Sequence, residues 1–238
     1  MRLGDLKLTL ADIDLGSVDA ESDKRLGEYF VTTPQAKKAV QLRKSHFLGR
    51  KGAGKSALFS QLRSLFTKAG HTKVRIVSLT PDEYAWSALR RYKETGLLPE
   101  QAHANAWKFT IAVEVAAVLT NEPEALFHES TLPSLKRLKR FIAENYGGKP
   151  PDAVTTATRL LKGLETFNLE AFGFKVGFKR EIGDRPLTPQ IVESLFEDLR
   201  KLSDDIGVIV AFDRLDDSWD GSDEAKSLLI GLLKQPRR

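Results

Sequence analysis

The chain has 238 residues, with 37 Lys and Arg against 32 Asp and Glu for a formal charge of +5, and it is 41% hydrophobic and 29% charged. That composition supports one sizeable core and excludes pervasive disorder; the slight basic excess permits contact with nucleic acid without requiring it. The lack of cysteine excludes disulfides, thiolate zinc sites and a cysteine nucleophile, and the four histidines, His46, His71, His103 and His128, show no metal-ligand spacing.

Charges run through residues 1–12, so the amino terminus has no signal-peptide apolar stretch. No later segment approaches the roughly 18 apolar residues of a membrane span, so a cytoplasmic location is expected. Residues 1–28 are rich in Asp and Glu and read as an acidic leader, with a candidate edge strand at residues 6–10. Residues 29–45 reverse the sign through Lys37, Lys38, Arg43 and Lys44 around a short amphipathic helix.

The chain from 29 to 238 then reads as one nucleotide-binding domain. Residues 45–48 predict a short strand, followed by a glycine-rich loop and a helix over about 55–68 with Leu58, Leu62, Leu65 and Phe66 on one stripe. Residues 73–79 alternate and are rich in β-branched side chains, which predicts a strand. Strand, loop, helix, strand is the opening of a parallel α/β sheet.

A helical insertion is expected over about 81–165, with a long helix at about 99–119 and shorter ones at about 132–145 and 152–163. The Phe- and Gly-containing residues 167–182 predict a small hairpin or edge strand. A helix begins at Thr188 and Pro189 and leads into the apolar run 206–212, expected as a central parallel strand ending at Asp213. Ser222, Asp223 and Glu224 open a last helix.

Two features carry chemistry. Residues 49–56, Gly49, Arg50, Lys51, Gly52, Ala53, Gly54, Lys55 and Ser56, match GxxxxGK[ST], the Walker A pattern, at each fixed position. Backbone N–H groups in such a loop converge on phosphate oxygens at a helix N-terminus, with Ala57 the next residue in. Lys55 is expected on the β- and γ-phosphates of ATP, and Ser56 on Mg2+.

The second feature is Asp213 at the end of its apolar strand, the expected magnesium-side carboxylate. Asp216 is a candidate catalytic or magnesium-associated acid, and Asp217 is a weaker one. Arg214 occupies the place where a second carboxylate would polarise water, and Trp219 reads mainly as packing.

The segments Phe47 to Leu58 and Val208 to Asp220, with Tyr29 and Phe30 ahead of them, resemble a largely uncharacterised bacterial P-loop ATPase family related to the AAA-like and signal-transducing P-loop proteins (STAND and KAP types). The resemblance spans about 29–235 and implies a P-loop three-layer sandwich with a mostly parallel sheet, its core incomplete at the C-terminus. It also implies a magnesium-dependent ATP-binding protein, an ATPase or nucleotide switch, with Lys55, Ser56 and Asp213 at the nucleotide.

A P-loop kinase and a non-catalytic nucleotide-binding interaction module are the alternatives. Partners expected beside the nucleotide are a second copy of the chain or an effector protein completing the site. Nucleic acid is supported only by the basic patches at 37–44 and 136–140, and no membrane association is expected.

Overall fold

The structure is a computed structural model and describes residues 17, 20, 22–80, 98–146, 189–215 and 220–233. The chain forms two compact units, Met1–Thr72 and Lys73–Arg238.

The first unit holds α1 (Leu26–Tyr29), α2 (Pro34–Val40) and α3 (Lys55–Lys68). Thr33 caps α2, its Oγ1 accepting from the Ala36 N–H at 3.2 Å, and Pro34 stands at the first turn where its missing N–H costs nothing. Ala36 and Ala39 of α2, with Leu26 of α1 and Leu65 and Phe66 of α3, are the buried positions of this unit among the described residues.

Helices α2 and α3 end in the same way. After α3, Gly70 (φ 86°) donates to Thr67 and His71 donates to Phe66; after α2, Leu42 (φ 54°) donates to Ala39 and Arg43 donates to Lys38. Both are Schellman closures, with the left-handed position filled by glycine in one and by leucine in the other.

The second unit contains β1 (Val74–Leu79), α4 (Pro99–Thr120), a 3-10 turn (Glu124–Leu126), α5 (Leu132–Tyr146), α6 (Pro189–Ser203), β2 (Gly207–Phe212) and α7 (Asp223–Leu233). The strands pair in parallel from Val74 opposite Gly207 to Leu79 opposite Phe212.

Helix α4 is apolar on nearly every side, as expected of a helix surrounded by protein. It packs against α5, α6, α7 and both strands. Trp107, Phe109, Val113 and Leu119 of α4 meet Leu135, Leu138 and Phe141 of α5, Leu195 and Leu202 of α6 and Leu228 of α7 in one continuous core.

Directional contacts fix this packing. The Trp107 indole donates to the Leu228 carbonyl at 3.0 Å and stands edge-on to Phe212 at 5.6 Å. His103 Nδ1 lies 3.2 Å from Ser227 Oγ between α4 and α7. Arg75 of β1 grips Glu122 through two donors at 2.6 and 2.7 Å, tying the strand to the end of α4. Arg137 of α5 holds the buried Asp198 of α6 through two donors, one at 2.8 Å.

The architecture corrects the expected P-loop three-layer sandwich. Among the described residues there are seven α-helices and one open sheet of two strands. Residues 45–48, expected as the strand leading into the loop, form no strand, and Leu48 is 97% exposed. An apolar strand of an α/β sheet is stabilised by neighbours that take its backbone hydrogen bonds and by helices that cover its faces, and Leu48 has no such cover.

The run at 206–212 is likewise not central: β2 is half-buried along its length and pairs only with β1 among the described residues. The helices expected near 55–68, 99–119 and 132–145, and the two strands, stand where the periodicity put them. The readings at residues 6–10, 152–163 and 167–182 lie outside the described residues.

Candidate phosphate-binding loop

Residues 49–56 form the approach to α3. Ala53 N–H bonds to the Arg50 carbonyl at 3.1 Å and closes a tight turn. Gly52 and Gly54 both sit at φ 80°, the left-handed region where a side chain costs about 1–2 kcal/mol. A Cβ at either position would meet nothing within 4 Å, so backbone conformation and not crowding calls for glycine there.

Gly49 is different. A Cβ at 49 would lie 3.0 Å from the Ala53 Cβ, so the loop closes on itself through a small residue facing a glycine. The sequence pattern gives Gly49 as a fixed position but not its reason; the alanine four residues later is the signal that could have shown it.

Lys55, the first residue of α3, turns its ammonium back over the loop. Its Nζ donates to the Gly49 carbonyl at 2.9 Å, with the Arg50 carbonyl 3.4 Å away. The N–H groups of Gly54, Lys55, Ser56 and Ala57 make no hydrogen bond among the described residues. The first turn of any α-helix leaves such donors unsatisfied, and the helix dipole adds positive potential at the same end. Lys55, Ser56 and Ala57 are half-buried, whereas Gly49, Arg50, Lys51, Gly52, Ala53 and Gly54 are exposed. The loop therefore brings together an ammonium, a hydroxyl and a set of unpaired N–H donors, which is a site chemistry for an oxyanion.

Asp213 belongs to the second unit. Its N–H continues the ladder to the Leu79 carbonyl at 3.0 Å, and its side chain turns inward at the end of β2. The residue is 8% exposed, and its Oδ2 has no hydrogen-bond partner among the described residues. Arg214 follows in a left-handed conformation, φ 57°, unusual for a side-chain-bearing residue and the point where the strand direction ends. Asp216, Asp217 and Trp219 lie outside the described residues. No group of three or more His, Asp or Glu residues that could hold a metal ion occurs among the described residues.

No helix among the described residues is long and apolar enough to cross a membrane. No family model matches the chain, and no solved structure matches it. Over an alignment of 123 residues that covers 49% of the chain, it is 28% identical to the putative transposon gamma-delta 80.3 kDa protein of Escherichia coli K12, and the match spans 17% of that protein's length.

These findings correct the functional reading together with the fold. The resemblance to AAA-like and signal-transducing P-loop ATPases is not upheld by any family model or solved structure, and the described sheet is not the one that such enzymes use. The ATPase, nucleotide-switch and kinase readings each require that sheet to set a catalytic acid against the transferred phosphate, so they fall with it. The Walker A spacing remains a local property of residues 49–56, outside the fold that gives it its usual meaning.

Proposed function

We propose that the loop 49–56 binds a polyphosphate anion, with magnesium-bound ATP the ligand to test first. The observation that carries this reading is the Lys55 ammonium folded onto the Gly49 carbonyl, next to helix N–H groups that have no partner among the described residues. An incoming phosphate oxygen would exchange the neutral carbonyl for an anionic acceptor and take up the N–H groups of Gly54, Lys55, Ser56 and Ala57. Charge-assisted bonds of this kind are roughly twice as strong as neutral ones.

Gly49, Gly52 and Ala53 shape the loop, Arg50 and Lys51 add positive charge beside it, and Ser56 offers its hydroxyl to Mg2+. A cytoplasmic setting, with its millimolar magnesium and nucleotide, suits this reading, and a second copy of the chain or an effector is the partner to look for.

Calorimetric titration of the full chain with ATP, with and without Mg2+, tests the proposal. Saturable binding that weakens at least tenfold in Lys55→Ala is expected. Equal affinity in the Lys55→Ala protein would remove the loop as the site. Size measurement during the titration reads out any second copy.

A further inference from the structure

We infer that the C-terminal end of α2 and the turn after it form a docking surface for the phosphodiester backbone of double-stranded nucleic acid, independent of the loop 49–56. The segment after the acidic leader has an unusual charge distribution: residues 29–72 contain nine Lys and Arg and no Asp or Glu. A solvated protein face normally mixes both signs, and the second unit does so. There Lys139 pairs with Glu124, Arg140 with Glu144, Lys201 with Glu197 and Lys226 with Asp223.

Lys37, Lys38, Arg43 and Lys44 are all exposed, and none has an ion pair among the described residues. The described acids nearest in sequence are already engaged, since Glu28 pairs with the Arg25 guanidinium and Asp23 accepts from the Arg25 N–H.

The fold gathers these four cations and holds them. Ala36 and Ala39 bury the opposite side of α2, which leaves Lys37 and Lys38 on its outer side. The Schellman closure at Leu42 then returns the chain so that Arg43 N–H bonds to the Lys38 carbonyl at 3.1 Å. Arg43 is thereby fixed beside Lys38 and not carried away along an extended strand. Like charges placed this close repel one another. A concentrated positive patch with no unengaged acid beside it in sequence among the described residues matches a polymer with regularly repeated negative charge, and duplex DNA has one for about every 1.7 Å of axis. The geometry of charge alone carries no base selectivity, so the surface is sequence-tolerant.

Fluorescence anisotropy of the full chain with a labelled 20-base-pair DNA duplex tests the inference. Four phosphate contacts give a log–log salt slope of about −3.6, so affinity should fall roughly 150-fold between 50 and 200 mM salt. Lys37→Gln/Lys38→Gln and Arg43→Gln/Lys44→Gln should each reduce the slope to about −1.8 with circular dichroism unchanged. Lys55→Ala should bind DNA as the parent does, and excess ATP should not displace it.

Absence of binding at 50 mM salt, or slopes unmoved by both double variants, overturns the inference. DNA binding lost in Lys55→Ala and displaced by ATP would return the charge to the phosphate loop and overturn the independent surface while upholding that loop. Binding to phosphatidylserine vesicles but not to the duplex would assign the patch to lipid headgroups, which also overturns it. Failure of ATP binding in the titration above leaves the DNA measurement unaffected, so the two readings fail separately.

Discussion

Gly231 brings α7 so close to α4 that a Cβ at 231 would stand 2.9 Å from the backbone nitrogen of Ala104 and 3.1 Å from the carbonyl carbon of His103. Backbone atoms in a helix cannot step aside as a side-chain tip can. Gly231→Ala should therefore destabilise the second unit by about 1–3 kcal/mol, although alanine is the better helix former. Urea denaturation checks this through a lower midpoint at unchanged slope, and an unchanged or raised midpoint would show that the two helices have room to separate.

Leu42 offers the opposite case. It holds the left-handed position that Gly70 holds after α3, and it is 65% exposed, so its side chain gains little by burial. Leu42→Gly should stabilise the first unit by about 1 kcal/mol by relieving the αL cost. Thr33→Ala at the other end of the same helix should lose about 1 kcal/mol with its cap. Thermal melts of both variants would show the opposite signs.

Arg137 and Asp198 make a directional test of burial. Asp198 is 3% exposed, and Arg137 supplies its guanidinium hydrogen bonds. Arg137→Met should cost about 3 kcal/mol, because the carboxylate remains inside without its partner. The hydrogen bond to Asp198, ahead of simple charge attraction, raises the Arg137 pKa above its ordinary value. A raised folded value means that the contribution is fully present below the unfolded arginine pKa and is lost only above it. The difference between parent and variant should thus stay flat from neutral pH into the moderately alkaline range.

Glu124 and Lys139 should behave otherwise. The hydrogen bond from Lys139, and then its charge, lowers the Glu124 pKa below the usual glutamate value. A lowered folded value stabilises above the unfolded pKa, and the stabilisation disappears as pH falls through the folded one. Because Glu124 is exposed, Glu124→Gln should give a small melting difference at neutral pH and low salt. That difference should vanish in acid or near 1 M salt, where the screening length is about 3 Å.

Local structure was more legible than architecture. The stripe of Leu65 and Phe66 and the alternation of residues 73–79 report an amphipathic helix and a strand because burial on one side imposes a period. The loop chemistry of Lys55 and the glycines was legible for a similar reason, as few sequences satisfy that backbone. The placement of the short apolar-ending segment at 45–48 was not. Ser45, His46, Phe47 and Leu48 fit a short strand, but only partners distant in the chain decide whether a ladder receives them.

The left-handed Leu42 was also hidden, since leucine gives no sequence signal for that conformation and a hydrogen-bond closure imposes it. Nothing in the sequence around Gly231 shows what stands against it, which is the backbone of Ala104. The nucleotide-hydrolysing fold was inferred from two short motifs, whose local spacing does not determine how many strands lie between them.

The parallel register of β1 and β2 has a kinetic consequence. Val74 and Gly207 are separated by over half the length of the chain, and parallel strands cannot be joined by a tight turn. Their pairing must wait until that long loop closes, an entropic cost that arrives before any ladder bond forms. Helices α4 and α5 make their contacts with each other at shorter range, so that pair has the means to form earlier and shorten the search for the strands. Refolding should accordingly be slower than for a helical bundle of equal size, and the strand pairing should be its late event.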